Sequence, residues 1–170
     1  MPVLIDGNNL LFAAREADPE RPPSRSTLCL RLGQWARRTG EKVAIVFDGP
    51  IPTASLARQI GDPDVAVNYS GAGISADKVL TEAIEADSAA RLLLVVSSDR
   101  EIGRAARRRK AKIMRSDVFW AMVQRDLARS KPRPSEPPEK RRGLRPGEAA
   151  RWLNELGLDS GQPSPSSGDD

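Results

Sequence analysis

Asp6, Asp48, Asp77 and Asp99 are the residues of this chain whose type and spacing could do chemistry. Three of them follow a short apolar run, and Asp77 follows Ser75-Ala76 at the start of a predicted helix. Carboxylates gathered at one point repel each other unless a proton or a cation intervenes. Hard oxygen ligands of this kind suit a divalent cation such as Mg2+ or Mn2+. Such an ion lowers the pKa of a bound water and neutralises charge on a scissile phosphate, so the chemistry implied is hydrolysis of a phosphate ester. Asn9 and Ser98 stand beside two of the aspartates and could orient a carboxylate or a water from behind. Lys78 and Arg100 adjoin Asp77 and Asp99 and could meet phosphate oxygens. A dense basic run follows, with Arg104, Arg107, Arg108, Arg109, Lys110, Lys112 and Arg115. Part of it could line a path for a phosphodiester backbone.

Each of these residues also has a plainer reading. Asp6 and Asp99 suit helix N-caps, Asp48 before Gly49-Pro50 suits a turn, and Asp77 suits the positive end of a helix dipole. The basic run reads equally well as a solvated helix face. Convergence of all four aspartates on one sheet edge is what separates the two interpretations.

Composition narrows the chemistry. The chain of 170 residues contains no histidine, which removes His-based acid–base catalysis, Ser-His-Asp triads and His-ligated metal sites. The single cysteine, Cys29, excludes a disulfide framework and reads as a small buried apolar residue. The net charge is +4. The surplus falls in residues 1–130, which fits a mildly basic domain that meets an anionic polymer. No signal peptide or long apolar span is evident, so the expectation is a soluble, cytoplasmic protein.

The elements that must position these residues alternate. Strands are predicted over Pro2–Ile5, Val43–Phe47, Val65–Tyr69, Leu92–Val96 and Ala111–Met114. A helix from about Ser26 carries Leu28, Leu32, Trp35 and Ala36 on one face and stops at Gly40. Ser75 caps a helix with Val79, Leu80, Ala83 and Ile84 inward. A third helix turns Ile102, Ala105 and Ala106 inward, and Ser116 caps a last one presenting Val118, Phe119, Met122, Val123 and Leu127. Pro50–Pro63 reads as loop with room for a short helix. Alternating helices and doubly apolar strands imply an α/β fold of three layers, α/β/α, around a mostly parallel sheet of about five strands. Asp6, Asp48 and Asp99 then fall at the carboxyl ends of strands, where such sheets bind ligands.

The expected organisation is a domain over 1–129, a basic Pro-rich linker over 130–143, a short amphipathic helix over 144–158 and a disordered tail over 159–170. Trp35 and Phe119 read as core, which leaves no evident platform for stacking on bases.

Leu4-Ile5-Asp6-Gly7-Asn8-Asn9-Leu10, Val46-Phe47-Asp48, Ser75-Ala76-Asp77 and Val96-Ser97-Ser98-Asp99-Arg100 together resemble the NYN domain of the YacP-like group, within the PIN-like nuclease superfamily. Ser75 and Ser97 stand where that pattern has Thr, and both keep a hydroxyl. The Ala150-Arg151-Trp152-Leu153 segment resembles one that often follows the domain. The resemblance implies a PIN-like fold and a metal-dependent ribonuclease, endonucleolytic in action, with RNA as partner. It implies Asp6, Asp77 and Asp99 as ligands of Mg2+ or Mn2+, with Asp48 and Asn9 beside them. Relatives include an endoribonuclease that acts on mRNA within translating ribosomes, so the ribosome is a partner of particular members. A non-catalytic RNA- or ribosome-binding module of the same fold is the alternative. A small-molecule phosphohydrolase would want an Asp-x-Asp spacing, which Asp6-Gly7-Asn8 lacks. The 5′-nuclease domains of DNA polymerases share the first motif but need a further helical region.

Overall fold

Five short β-rich runs pair side by side in the computed structural model, which describes residues 1–129. They are β1 (Val3–Asp6), β2 (Val43–Phe47), β3 (Val65–Tyr69), β4 (Leu94–Val96) and β5 (Lys112–Met114). Their order is β3-β2-β1-β4-β5, and every pairing is parallel. Six helices flank the sheet: α1 (Gly7–Ala17), α2 (Arg25–Thr39), α3 (Ala54–Ile60), α4 (Ala76–Ala86), α5 (Arg100–Arg108) and α6 (Ser116–Ala128). The expected mostly parallel sheet of about five strands is therefore observed as an all-parallel one.

Side-chain alternation along the strands makes two cores. Val3 and Ile5 of β1, and Val43, Ile45 and Phe47 of β2, face Leu10, Leu28, Leu32, Trp35, Phe119 and Val123 from α1, α2 and α6. Leu4, Val46 and Val95 face the other way, onto Leu80 and Ile84 of α4 and Ile102 and Ala106 of α5. The direction of travel explains the division. The chain steps from β1 towards β3 on one side, then returns to β4 and β5 on the other. Right-handed crossovers put the connections for opposite directions on opposite faces of the sheet. The strand order reverses between β1 and β4, and that crevice is where ligands of open α/β sheets bind.

Local stops follow the sequence closely. Gly40 ends α2 in the left-handed region at φ 75°, as a C-terminal glycine should. β2 and β3 occupy the residues expected of them. Other limits differ. β4 is shortened by a 3₁₀ turn over Ala90–Leu92. Pro50–Pro63, by contrast, holds the short helix it has room for, α3. Ser116 is the first residue of α6, with Arg115 at its N-cap. Val118 is 53% exposed, and Trp120 takes the inward place instead. Among the described residues no helix is long and apolar enough to cross a membrane. The expected linker, amphipathic helix and tail lie outside the described residues.

Candidate active site

α1 starts on β1 without a connecting loop, and Gly7 allows it. A Cβ there would lie 2.5 Å from Phe47 Cδ1 and 2.7 Å from the Val46 carbonyl oxygen. The first turn of α1 therefore rests on the end of β2. This brings Asn8 to Asp48, where its Nδ2 donates to Oδ2 at 2.6 Å. The other carboxylate oxygen of Asp48 accepts from the backbone N–H of Ala76 at 2.5 Å, at the start of α4. Asp48 thus joins β2, α1 and α4, and fixes where Asp77 stands.

Asp6 is the N-cap of α1 and 2% exposed. It accepts from the Asn9 backbone N–H at 3.0 Å and from the Asn9 side-chain amide. A third donor is the Ser97 hydroxyl at 2.9 Å. Ser97 Oγ also accepts from the Asp99 backbone N–H at 3.0 Å. One buried hydroxyl therefore spans the crevice between β1 and β4. The sequence points to Ser98 for this place, but Ser98 Oγ accepts from the Ser116 N–H at 3.3 Å, at the start of α6. Parallel register is the reason: Ile5 pairs with Val96, so the residue that follows Val96 lies beside Asp6.

Asp99 is the N-cap of α5, and its Oδ1 accepts from Glu101 N at 2.6 Å and Ile102 N at 3.2 Å. Asp77 lies in the first turn of α4. Its carboxyl is pushed above the ordinary range by desolvation, then by the negative charges of Asp6, Asp99, Asp48 and Glu101. The residue as a whole is exposed, so we give the repulsion more weight than burial. The other three sequence-identified aspartates are thus within electrostatic reach of Asp77. Glu101 is a fifth carboxylate that the sequence reading misses, and its place in the first turn of α5, two residues after Asp99, is the signal that could have found it.

The donor set suits a hard divalent cation. It consists of carboxylate oxygens, and among the described residues none of Asp6, Asp48, Asp77 and Asp99 has a basic partner. Their arrangement is not that of a closed ligand shell. Among the described residues no three acidic side chains converge tightly enough to form one. Asp6 and Asp99 accept backbone N–H groups as helix N-caps, and Asp48 accepts that of Ala76.

The basic residues divide. Arg100 and Arg104 are exposed on the first turns of α5, and neither has an ion-pair partner among the described residues. Lys78 lies 4.0 Å from Glu82, along α4. Arg107 and Arg108 are at the other end of α5, about 12–14 Å along the helix axis from Asp99. Arg108 is held by Glu85 at 2.8 Å, and Arg109 by the Asp87 carbonyl at 2.7 Å. The expected path from Asp99 along the basic run therefore turns away from the aspartates after Arg104. A cation not singled out in the sequence, Arg25, lies 4.9 Å over the Phe47 ring, next to Asp48 in the chain.

The family model described as the YacP-like NYN domain matches residues 3–153. The chain belongs to that family. This NYN chain is also similar to crystal structures of Rae1 (YacP) from Bacillus subtilis, at 19% identity with a TM-score of 0.60. A point mutant of that Bacillus protein matches at 18% identity with a TM-score of 0.57. Each match covers 93% of this chain and 84% of the other. At these identities the likeness concerns the fold, and it agrees with the NYN assignment. No curated protein matches the chain.

Proposed function

We propose that this NYN domain is a Mg2+- or Mn2+-dependent endoribonuclease that hydrolyses RNA phosphodiester bonds at the carboxyl edge of its sheet. The observation that carries this reading is a buried carboxyl group with no basic partner among the described residues. Asp6 sits at the switch point between β1 and β4, 2% exposed, and its hydrogen-bond donors are neutral. An ionised carboxylate in such a place is costly unless a positive charge joins it. Asp77 feels the negative charges of Asp6 and Asp99, and that repulsion falls when a cation enters. Asp6, Asp77 and Asp99 would hold the ion, which supplies charge neutralisation at the scissile phosphate and acidifies water.

The protein's own groups do the positioning. Asn9 and Ser97 hold the Asp6 carboxylate in one orientation. Asp48 fixes the start of α4, and with it Asp77. Arg100 and Arg104 meet phosphate oxygens on the approach to α5. Family membership makes RNA the substrate class, and a sheet edge open to solvent admits a chain from its middle as readily as from its end.

A second reading draws on the cap bonds. Asp6 and Asp99 already serve α1 and α5, so they have a role without any ion. A module that binds RNA or the ribosome without cutting would keep them for that reason. Incubating the purified protein with structured and unstructured RNA in Mn2+, Mg2+ or EDTA separates the two. The nuclease reading expects internal cleavage that EDTA stops and that Asp99→Asn abolishes in a folded protein. Binding without cleavage would establish the module, and cleavage indifferent to EDTA would refute the metal role.

A further inference from the structure

Aromatic side chains are scarce here, with three Trp, one Tyr and three Phe in the whole chain. Among the described residues Trp35, Phe47, Phe119 and Trp120 are buried and Tyr69 is partly buried against the same core. Phe12 is the exception, 64% exposed on α1. The inward face of α1 is made by Gly7, Leu10, Leu11 and Ala14. Phe12 belongs to the opposite face, three residues after Asn9 and four after Asn8. Residues at those separations lie one above another on a helix. A helical side chain also leans towards the N-terminus and covers the turn before its own Cα. The Phe12 ring therefore overlies the turn whose asparagines donate to Asp6 and Asp48. Its Cα is about 7 Å along the helix axis from the residue that follows Asp6.

We propose that Phe12 is a base-stacking platform, on which a nucleobase of single-stranded RNA next to the scissile phosphate is held. The inference rests on the ribonuclease reading and adds to it the residue that grips a base. Three features favour a base over another occupant. A flat ring open to solvent on one face matches the π-face of any base, so stacking needs no particular sequence. The polar partners nearest to it, Asn8 and Asn9, are already engaged by carboxylates, which leaves the ring as the free contact of that helical face. The aspartates beside it would draw the adjoining phosphate through a shared cation, so base and phosphate would be held one nucleotide apart.

The test uses the full-length protein in Mn2+ with a short single-stranded RNA, and the same RNA carrying one abasic nucleotide at successive positions. Phe12→Ala should raise KM at least about fivefold, the lower range of one base–aromatic stack, with kcat within twofold. An abasic nucleotide at one position should impair cleavage by the unaltered protein and no longer impair Phe12→Ala further. Phe12→Trp should keep a normal KM. Thermal unfolding of Phe12→Ala should match the unaltered protein, because the ring leaves no core. An unchanged KM, continued sensitivity of Phe12→Ala to the abasic position, or a lowered Tm would each overturn the stacking role while the nuclease reading stands. A protein that neither binds nor cuts RNA would overturn both.

Discussion

Ser97 shows how much one hydroxyl can organise. It donates to Asp6 on β1 and accepts from the backbone of Asp99 after β4, so it sets the relation between two aspartates from non-adjacent parts of the chain. Ser97→Ala removes both bonds and leaves a buried N–H without its acceptor. The expected loss is about 1–2 kcal/mol in denaturant unfolding, with a higher metal concentration needed for half-maximal cleavage. Asp77 gives a second prediction at this scale. Its carboxyl is raised, so the folded protein holds that proton more tightly than the unfolded chain does. Stability from this group is present at pH below the unfolded carboxylate range and is lost as pH rises through the raised value. Asp77→Asn should therefore increase Tm in EDTA at neutral pH, and the gain should vanish at acid pH. An equal gain at both would show that Asp77 is not strained by its neighbours. Asp6, Asp48 and Asp99 were legible in the sequence because each follows an apolar strand, and Asp77 because it opens a helix. Ser97 was not, since choosing it over Ser98 needs the pairing of Ile5 with Val96, and strand partners are not written locally.

Elements position the site through close contacts that allow no spare atoms. Gly7 makes one of them, where α1 meets β2. Gly7→Ala has to push the helix start away from Phe47 and Val46. We expect a loss of about 1–3 kcal/mol, the usual cost of overpacking, together with loss of cleavage as Asn8 leaves Asp48. Gly40 offers the contrast. It caps α2 at positive φ with open space around it. Gly40→Ala should cost about 1 kcal/mol and leave the cleavage rate per folded molecule unchanged. Equal catalytic damage from both would mean that the site depends on stability alone. The same contrast explains which elements could be read in advance. Gly40 and the apolar runs of β2 and β3 act within a few residues, so their limits were plain. The interior of Pro50–Pro63 lacks a buried residue in its helix α3, so no apolar periodicity announced it. Val118 looked like core because it is apolar, but it sits outside the stripe that Phe119, Trp120 and Val123 make.

At the scale of the whole molecule the question is where an anionic polymer would lie. The net charge of +4 is small, so the distribution of charge matters more than its sum. Sequence alone treats Arg104 to Arg115 as one run that follows Arg100. The fold separates it, because α5 begins at the aspartates and ends near the opposite edge of the sheet. There, Arg108 and Arg109 are engaged by Glu85 and the Asp87 carbonyl. A guanidinium already paired to a carboxylate gives up that pair before it can meet a phosphate, whereas Arg100 and Arg104 have no such pair among the described residues. Arg100→Gln and Arg104→Gln should each weaken binding to single-stranded RNA across all sequences. Each should also flatten the dependence of log affinity on log salt by about 0.7, the contribution of one phosphate contact. Arg108→Gln should change neither, and should instead loosen the contact between α4 and α5. Fluorescence anisotropy over a salt series measures all three variants with one labelled RNA. A salt slope that falls for Arg108→Gln and not for Arg100→Gln would place the polymer along the far end of α5. The carboxyl edge would then no longer be where RNA enters.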